Sequence, residues 1–465
     1  MTLPKAFIED IKPYLSESEL EEFVHSLTET EQTTCVRYNL KKGARMEGTP
    51  IGWNPADGRY LEQRPNFTLD PLMHAGCYYV QEASSQFVTH IIRTLVNEPV
   101  TALDLCAAPG GKSTALISNL PTGSQLVSNE IDRRRARILA ENITKWGAPN
   151  ACVTCNAPKD FARLTNTFDL ILTDVPCSGE GMFRKDEGAV ADWSPQKVAT
   201  CVETQRDILE TIWPTLKPGG LLIYSTCTFN VHEDEEMLQY ICEEIGAEAI
   251  SIPIEPEWNI HAPLKGELPC YRFMPHYTRG EGLFMCVVRK LTDGDNLNMH
   301  HRNEKAKRDN KGKSQSSKLK DSFDIKKATP LLLSKISCEA AIEVSAEGTI
   351  SAIPSELKPL HDQIKSAGLF LLQSGIEMGM VKGRDIIPSH ALALSTARSA
   401  DAYPTAEVEL ETALDYLRHE AIVLPEDAPK GYVIITYQGH ALGFVKNLGN
   451  RSNNLYPQEW RIRFL

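Results

Sequence analysis

The sequence predicts an α/β fold built on a mostly parallel sheet, with a smaller α+β unit before it and a β-rich region after it. The prediction depends first on the alternation of short apolar segments with longer amphipathic ones between residues 76 and 290, which is typical of parallel strands joined by helices. A length of 465 residues also leaves room for two to four domains. The predicted strands are Thr101–Leu105, Gln125–Ser128, Asp169–Leu172, Leu221–Tyr224 and Leu283–Val288, and the helical stretches are Arg133–Trp146 and Ser194–Leu216.

Residues 1–75 predict a separate N-terminal accessory unit. A helical period runs from Ile11 to Val24 and is followed by a small basic group, Arg37 and residues 41–45. We expect residues 76–290 to form the central domain.

The pattern breaks at residues 291–322, which carry many charges and few apolar side chains. Such a segment buries too little surface to offset chain entropy, so we predict a flexible charged linker. A second folded unit is predicted over residues 323–465. Its end contains two alternating runs, Gly431–Tyr437 and Ala441–Lys446, separated by a glycine-containing turn that indicates a hairpin.

The composition excludes several classes of protein. Twelve cysteines in a chain of this length are too few for a disulfide scaffold. No apolar run approaches the roughly 18 residues of a membrane span, and no apolar leader opens the sequence, so we expect a cytoplasmic protein without a membrane partner. The net charge of −12 argues against broad, non-specific binding of nucleic acid, so any such function would depend on local basic patches.

The stretch DLCAAPGGKST at 104–114 follows the first predicted strand. Its GGKST end suggests a P-loop, but the first glycine of that motif would fall on Cys106, and Pro109 removes a backbone donor from the loop. The alternative is the cofactor-binding turn of a Rossmann-like sheet, with Gly110 and Gly111 at the turn. Glu130, at the end of the second strand, stands where an acidic residue would bind ribose hydroxyls. Together these features favour a nucleoside-containing cofactor.

Two further predicted strands each end in a turn with a cysteine, Cys177 and Cys227. Ligands of open α/β sheets sit beyond the carboxyl ends of the strands, so two neighbouring strands would bring both thiols to one pocket. A disulfide is the structural alternative, which a reducing compartment disfavours. No CxxC or HxxxH spacing accompanies them, so no metal site is predicted.

Several motifs resemble the RNA cytosine-5 methyltransferases of the NOL/NOP/Sun superfamily, in particular the bacterial RsmF type that acts on 16S rRNA. They are CAAPGGK at 106–112, DVPCSGEG at 174–181, STCTFN at 225–230, GCYYVQEASS at 76–85 and GMFRKD at 181–186. The end of the chain, KNLGNRSNNLYPQEWRIRF at 446–464, is similar to the PUA-like RNA-binding region of that type. The resemblance implies a class I methyltransferase sheet that uses S-adenosyl-L-methionine.

The resemblance also implies roles for individual residues. Cys227 would add to C6 of the cytosine, Cys177 would help release the product, and Asp174 would contact N3 of the base as a buried, protonated carboxyl. Asn156 stands where the family places an acid against adenine. The implied cofactor-binding residues are Cys106, Ala107, Ala108, Pro109, Gly110, Gly111, Lys112, Glu130, Asn156 and Asp174.

A cytosine inside a helix hides C5 and C6, so the enzyme would take a flipped or unpaired nucleotide. The substrate implied is RNA, either rRNA or the small ribosomal subunit, and we expect a monomer. Two alternatives stay open: a tRNA cytosine-5 methyltransferase, and a non-catalytic RNA-binding factor in ribosome assembly. The candidate phosphate contacts are Arg37, Arg184, Lys185, Lys446 and Arg451.

Overall fold

The computed structural model describes residues 2–43, 47–291 and 324–463, so the predicted linker lies almost entirely outside the described residues. The N-terminal part carries a four-stranded antiparallel sheet of order β2-β3-β1-β4 with helices packed beside it. Its elements are α1 (Lys5–Ile11), α2 (Glu17–Thr28), β1 (Thr34–Tyr38), β2 (Thr49–Ile51), β3 (Asn54–Leu61), α3 (Pro71–His74) and β4 (Tyr78–Val80).

The predicted helical stretch from Ile11 to Val24 is divided between two helices. Pro13 lies in a short 3-10 turn after α1, and α2 begins with a new cap at Ser16. The Ser16 hydroxyl accepts a hydrogen bond from the Glu19 amide, while the Glu19 carboxylate accepts one from the Ser16 amide. This reciprocal capping stabilises a helix start, so the chain restarts its helix there.

The central part forms a sheet of order β10-β12-β9-β8-β5-β6-β7, with β11 paired to β12. The strands β9, β8, β5, β6 and β7 are parallel, and β12 and β10 are antiparallel to their neighbours. The elements are α4 (Phe87–Leu95), β5 (Thr101–Asp104), α5 (Gly111–Asn119), β6 (Gln125–Asn129), α6 (Arg133–Trp146), β7 (Ala151–Thr154), β8 (Phe168–Asp174), α7 (Glu187–Asp192), α8 (Pro195–Ile212), β9 (Leu216–Thr226), α9 (Glu235–Tyr240), β10 (Ala247–Ala249), β11 (Tyr271–Phe273) and β12 (Leu283–Lys290).

The C-terminal part contains two further four-stranded sheets, of order β13-β14-β16-β17 and β18-β19-β20-β21. The predicted hairpin is confirmed, because β19 and β20 pair antiparallel around Gln438 and Gly439, both at positive φ. The elements are α10 (Ile325–Leu333), β13 (Ala340–Val344), β14 (Thr349–Pro354), α11 (Lys358–Ala367), β15 (Leu371–Ser374), β16 (Ile376–Lys382), β17 (Asp385–Pro388), α12 (His390–Leu394), β18 (Thr405–Glu407), α13 (Leu410–Leu417), β19 (Gly431–Tyr437), β20 (His440–Asn447) and β21 (Ser452–Asn454).

The three parts are joined by shared structure. Strand β15 pairs antiparallel with β7 and so extends the central sheet beyond its own last strand. Val36 and Tyr38 of the N-terminal sheet share one apolar core with Tyr416 and Tyr456 of the C-terminal part. The N-terminal sheet also extends through β4, past the predicted boundary at residue 75.

Helices cover both faces of the central sheet, as an α/β fold requires. One core contains apolar side chains of α4, α5 and α6, and the other contains those of α8, α9 and α11. No helix within the described ranges combines the length and apolar character that crossing a membrane would need.

Candidate active site

The loop after β5 crosses the carboxyl ends of the neighbouring strands. The amide of Ala107 donates to the carbonyl of Asn129, 2.8 Å away, at the end of β6. Gly110 has φ +114°, a conformation that L side chains rarely adopt, and α5 begins immediately after it. A Cβ added at Gly111 would lie 3.3 Å from both the Tyr79 ring and the Gln81 amide nitrogen. The glycines therefore allow a close approach of three chain segments.

Lys112 faces Asp174 at the end of β8. The Nζ of Lys112 lies 2.7 Å from Oδ2 of Asp174, whose Oδ1 accepts a hydrogen bond from the Ser225 hydroxyl at 2.7 Å. Burial lowers the pKa of Lys112, but the charge and hydrogen bond of Asp174, with smaller contributions from Asp104 and Cys227, together raise it above the ordinary lysine value. Lys112 is therefore paired with a carboxylate, unlike a P-loop lysine directed at phosphates.

Asp174 itself differs from the expectation in one respect. Its side chain is 37% exposed and paired with Lys112, whereas the expected protonated acid would be buried in a water-poor turn. The reason is that Asp174 ends β8 at the open edge of the sheet, where Lys112 reaches it from the first turn of α5. Asp174 therefore forms an ion pair with Lys112 at this edge and is not an isolated acid.

Cys177 and Cys227 meet at this edge, as predicted. Strands β8 and β9 are parallel neighbours, and each cysteine lies in the turn that follows one of them. The Sγ atoms of Cys177 and Cys227 are 3.3 Å apart. Both cysteines are free thiols. The hydrogen bond with Cys227 and burial raise the pKa of the Cys177 thiol well above its usual value. Cys177 is thus suited to stay protonated, since like charges disfavour two adjacent thiolates.

Two buried carboxylates join the cysteine loops to each other. Glu180, on the Cys177 loop, accepts hydrogen bonds from the amides of Phe229 (2.7 Å) and Asn230 (3.0 Å). Glu233, after the Cys227 loop, accepts one from the Ser178 amide at 3.0 Å. The Asn230 side chain donates to both carboxylates at 2.9 Å. We call Glu180, Asn230 and Glu233 the carboxylate bracket.

The bracket was missed at the level of sequence. Glu180 lies within the motif at 174–181 and Glu233 lies three residues after the motif at 225–230, but nothing in their spacing shows that each carboxylate reaches the other loop. Burial raises the pKa of Glu180 to about 7, although its hydrogen bonds lower it. Three buried polar groups with satisfied hydrogen bonds hold both sulfur-bearing turns in one arrangement.

A cavity of 240 Å³ lies between the glycine loop and Asp174. Seven of the predicted cofactor residues line it: Cys106, Ala107, Ala108, Pro109, Gly111, Lys112 and Asp174. The opposite wall comes from the segment that ends the N-terminal sheet, including Tyr79 and Glu82. The sequence motif at 76–85 contains both residues, but only the fold brings them to the site.

Glu130 and Asn156 lie outside the lining of this cavity, farther along the same sheet edge. Glu130 is buried and accepts a hydrogen bond from the Asp132 amide at 3.0 Å, with Arg135 Nη1 3.4 Å from its other oxygen. The Asn156 side chain exchanges two hydrogen bonds with the backbone of Phe370, from the C-terminal part. Both predicted contacts therefore adjoin the cavity without facing it directly.

The prediction that Arg37 contacts RNA is wrong, because its side chain is fully buried. The guanidinium donates to Gln81 Oε1 at 2.7 Å, Thr114 Oγ1 at 2.6 Å and the Gly111 carbonyl at 3.2 Å. It also lies over the Trp146 ring. Burial lowers its pKa to about 10. Arg37 fastens the N-terminal sheet to helix α5 and is unavailable to phosphate.

Arg184 is also engaged within the protein. Its Nε lies 3.0 Å from a Glu281 carboxylate oxygen, and Nη1 donates to the Thr30 hydroxyl at 2.7 Å. Lys185 and Arg451 are exposed, and Lys446 lies half-buried beside the Tyr432 ring. These last three remain predicted phosphate contacts.

Solved structures share this fold. NSun6 from Pyrococcus horikoshii with SFG superposes with a TM-score of 0.54 and 18% identity, over 62% of this chain and 99% of that one. A methyltransferase homologue from Pyrococcus horikoshii gives a TM-score of 0.50 and 23% identity, over 62% of this chain and all of that one. The sheet and the glycine loop at its edge define a Rossmann-like methyltransferase fold, which confirms the predicted fold class.

Sequence comparisons identify the family. A family model described as 16S rRNA methyltransferase RsmB/F matches residues 93–289, and models of the RsmF N-terminal domain and the RsmF PUA domain match residues 3–83 and 403–462. Ribosomal RNA small subunit methyltransferase F of Serratia proteamaculans is 32% identical over 88% of this chain and 84% of its own length. That of Aliivibrio fischeri is 31% identical over 83% and 79%. The chain belongs to the RsmB/F family of RNA methyltransferases.

Proposed function

We propose that this protein transfers a methyl group from S-adenosyl-L-methionine to C5 of a cytosine in 16S rRNA. The observation that carries the proposal is the 3.3 Å separation of the Cys177 and Cys227 sulfurs. They converge at the sheet edge that also holds Asp174 and the glycine loop, so nucleophile, proton acceptor and cofactor loop share one site. The names of the relatives, which refer to the small-subunit ribosomal RNA, support the choice of substrate.

The residues present fit the cofactor. Gly110 and Gly111 let the loop approach a ligand where a side chain would collide with neighbours. Lys112 and Asp174 offer a charged donor and acceptor for its amino-acid end, and Glu130 follows β6 where a ribose would lie. The cofactor supplies an electrophilic methyl group on a sulfonium. A solved relative described as containing SFG is consistent with a ligand at this edge.

The proposed chemistry begins at Cys227. C5 of cytosine is a weak nucleophile, and addition of the Cys227 thiolate to C6 makes C5 electron-rich. Lys112 and Asp174 face the same site and supply the hydrogen bond, and the proton, that neutralises charge on the base at N3. C5 then takes the methyl group. Removal of the C5 proton and breakage of the Cys227–C6 bond release the product.

Cys177 is the proposed acceptor for that C5 proton. Its sulfur lies next to the attacking one, so it reaches the same base. An acceptor must be deprotonated when it acts. The neighbouring Cys227 sulfur raises the pKa of Cys177, so Cys177 stays neutral at first. Once the Cys227 sulfur is bonded to C6, Cys177 gives its proton to water and can then take the C5 proton. The order of ionisation thus follows the order of the chemical steps.

The remaining assignments extend the proposal to the whole chain. We propose an N-terminal accessory unit that extends through β4 at residues 78–80, then a methyltransferase domain up to residue 290, a charged linker at 291–322 and a PUA-like RNA-binding region at 323–465. The exposed cations Lys185 and Arg451 are candidate phosphate contacts. We further propose that the protein acts in the cytoplasm as a monomer, on rRNA or on the small ribosomal subunit.

A methyl-transfer assay tests the function. The purified protein is incubated with methyl-labelled S-adenosyl-L-methionine and either naked 16S rRNA, small ribosomal subunits or tRNA, and modified cytosines are mapped. We expect one major 5-methylcytosine in 16S rRNA that is also missing from the rRNA of a deletion strain. Label in tRNA alone would overturn the choice of substrate, and no label in any RNA would overturn the proposed activity.

A further inference from the structure

Phe370 links the C-terminal part to the cofactor edge of the sheet. It immediately precedes β15, the strand that pairs with β7 and extends the central sheet. Because β15 is antiparallel to β7, the start of β15 lies at the edge where β6 and β7 end. Phe370 therefore stands beside the residues that follow those strands, Glu130 and Asn156.

The backbone of Phe370 holds the Asn156 side chain in place. Asn156 Nδ2 donates to the Phe370 carbonyl at 3.1 Å, and the Phe370 amide donates to Asn156 Oδ1 at 2.8 Å. The amide of Cys155 also donates to the Phe370 carbonyl, at 3.0 Å. One donor and one acceptor fix the orientation of the Asn156 amide, while Oδ1 keeps a second lone pair for a ligand.

Two large apolar side chains are left open to solvent at this edge. Phe370 is 55% exposed and Ile131, next to Glu130, is 63% exposed. Both adjoin Cys155, because its Sγ lies 3.7 Å from the Ile131 carbonyl and its amide contacts Phe370. A single exposed apolar residue is ordinary, but two at the same edge, one beside β6 and one beside β15 with β7 between them, form an apolar surface beside a polar site.

The orientation in which the cofactor would lie along the sheet edge brings its adenine to this apolar surface. Its reactive end must lie near Cys177, Cys227 and Asp174, and its ribose near Glu130 after β6. Continuing along the edge, the adenine reaches the ends of β7 and β15. A flat purine there needs an apolar face to cover it and a hydrogen-bonding group at its rim, which are what Phe370 and Asn156 offer.

We propose that Phe370, supplied by the C-terminal part, packs against the adenine of the cofactor. Its backbone also orients the Asn156 side chain for a hydrogen bond to the edge of the adenine ring. This inference rests on the proposed function and assigns to the C-terminal part a role in cofactor binding besides RNA recognition. Stacking of a base on an aromatic side chain contributes enough that its removal weakens binding roughly five- to 150-fold.

Calorimetric titration of the full-length protein with S-adenosylhomocysteine and with methylthioadenosine tests the inference. Methylthioadenosine keeps the adenine and ribose but lacks the amino-acid end. Phe370→Ala should weaken both ligands about ten-fold or more. The matched control is Leu372→Ala, which removes another exposed apolar side chain, in the strand β15 that follows Phe370, and should leave both affinities unchanged.

A second variant distinguishes loss of the aromatic contact from a general folding defect. Phe370→Trp keeps an aromatic ring and should bind both ligands with a fluorescence change that wild-type protein lacks. Equal affinity of wild-type and Phe370→Ala protein, or no added fluorescence response in Phe370→Trp, would overturn the role of Phe370 and leave the proposed function standing. If wild-type protein binds neither ligand, the proposed function itself is overturned.

Discussion

Glu180, three residues after Cys177, accepts two hydrogen bonds from Asn230, three residues after Cys227. The two cysteine loops, which are distant in sequence, are therefore bonded to each other by groups at equivalent positions. Glu233 completes the arrangement by accepting from the Cys177 loop in return. The short distance between the sulfurs is thus a property of both loops together.

The roles of the two cysteines are separable by substitution. Cys177→Ala removes the proposed proton acceptor, so the Cys227–C6 bond should form but fail to break, and a protein–RNA adduct should accumulate. Cys227→Ala should abolish both adduct and methyl transfer. Denaturing gels with labelled RNA measure the adduct, and Cys338→Ala, which removes a free thiol in the C-terminal part, is the control. A fully active Cys177→Ala enzyme without adduct would show that the roles are wrongly assigned.

Asp174→Asn should slow the addition step. The substitution keeps the shape of the side chain but removes the charge that pairs with Lys112, and loss of a group in acid–base catalysis costs about 100-fold or more in rate. We expect slower single-turnover methyl transfer and, in a Cys177→Ala background, less adduct. Asp169→Asn is a matched control, because Asp169 pairs with Lys217 at 2.7 Å at the other end of β8. Equal losses from both substitutions would point to a structural effect.

Asn230→Ala should loosen the cysteine loops. It removes the amide that donates to both Glu180 and Glu233 and leaves two buried carboxylates short of a donor, which costs about 1–3 kcal/mol of unfolding free energy. Thermal melts and kcat should both fall, whereas Gln239→Ala, which breaks an exposed bond to Glu243, should change neither. Wild-type kcat in Asn230→Ala would show that the bracket does not position the sulfurs.

Arg37→Lys should destabilise the fold without a specific effect on RNA binding. A lysine keeps the charge but cannot bond simultaneously to Gln81, Thr114 and Gly111, so a buried charge loses partners. The melting temperature should fall by several degrees, which is about 1–3 kcal/mol. Lys185→Ala, an exposed control, should leave it unchanged. Weaker RNA binding by Arg37→Lys with an unchanged melting temperature would contradict the buried role.

The raised pKa of His232 predicts that the free energy of unfolding depends on pH. Hydrogen bonds with Asp10 and Glu236 raise its pKa from 6.5 to about 9, although burial opposes them. The folded state therefore holds a proton that the unfolded state releases between these values, so the contribution is complete below pH 6.5 and is lost as the pH rises through 9. Melting temperatures between pH 6 and 10 should fall less steeply in His232→Gln than in wild-type protein. Parallel curves would refute the linkage.

The sequence predicted those elements of the fold whose positions depend on a local pattern of apolar residues. The strands β5, β6, β8, β9 and β12 and helix α6 follow directly from apolar periodicity, with ends shifted by up to a few residues. The meeting of Cys177 and Cys227 followed from the rule that parallel strands end at one edge. Strand β7, only four residues long, was not predicted.

What the sequence did not predict depends on long-range pairing. A buried arginine such as Arg37 is unusual, and only the partners at Gln81 and Thr114 show why it is tolerated. The bond between Glu180 and Asn230 and the docking of Phe370 on Asn156 join positions that are distant along the chain, so no local pattern records them. Asp174 differs from expectation for the same reason, because Lys112 reaches it from helix α5.

The pairing of β15 with β7 has a consequence for any shortened version of the protein. A fragment ending at residue 291 would leave β7 with an open hydrogen-bonding edge and would uncover apolar side chains such as Val36 and Tyr38. Unpaired edges and exposed apolar surface both favour self-association. The catalytic half should therefore aggregate when it is expressed alone, and its solubility should return when the missing residues are co-expressed as a second polypeptide.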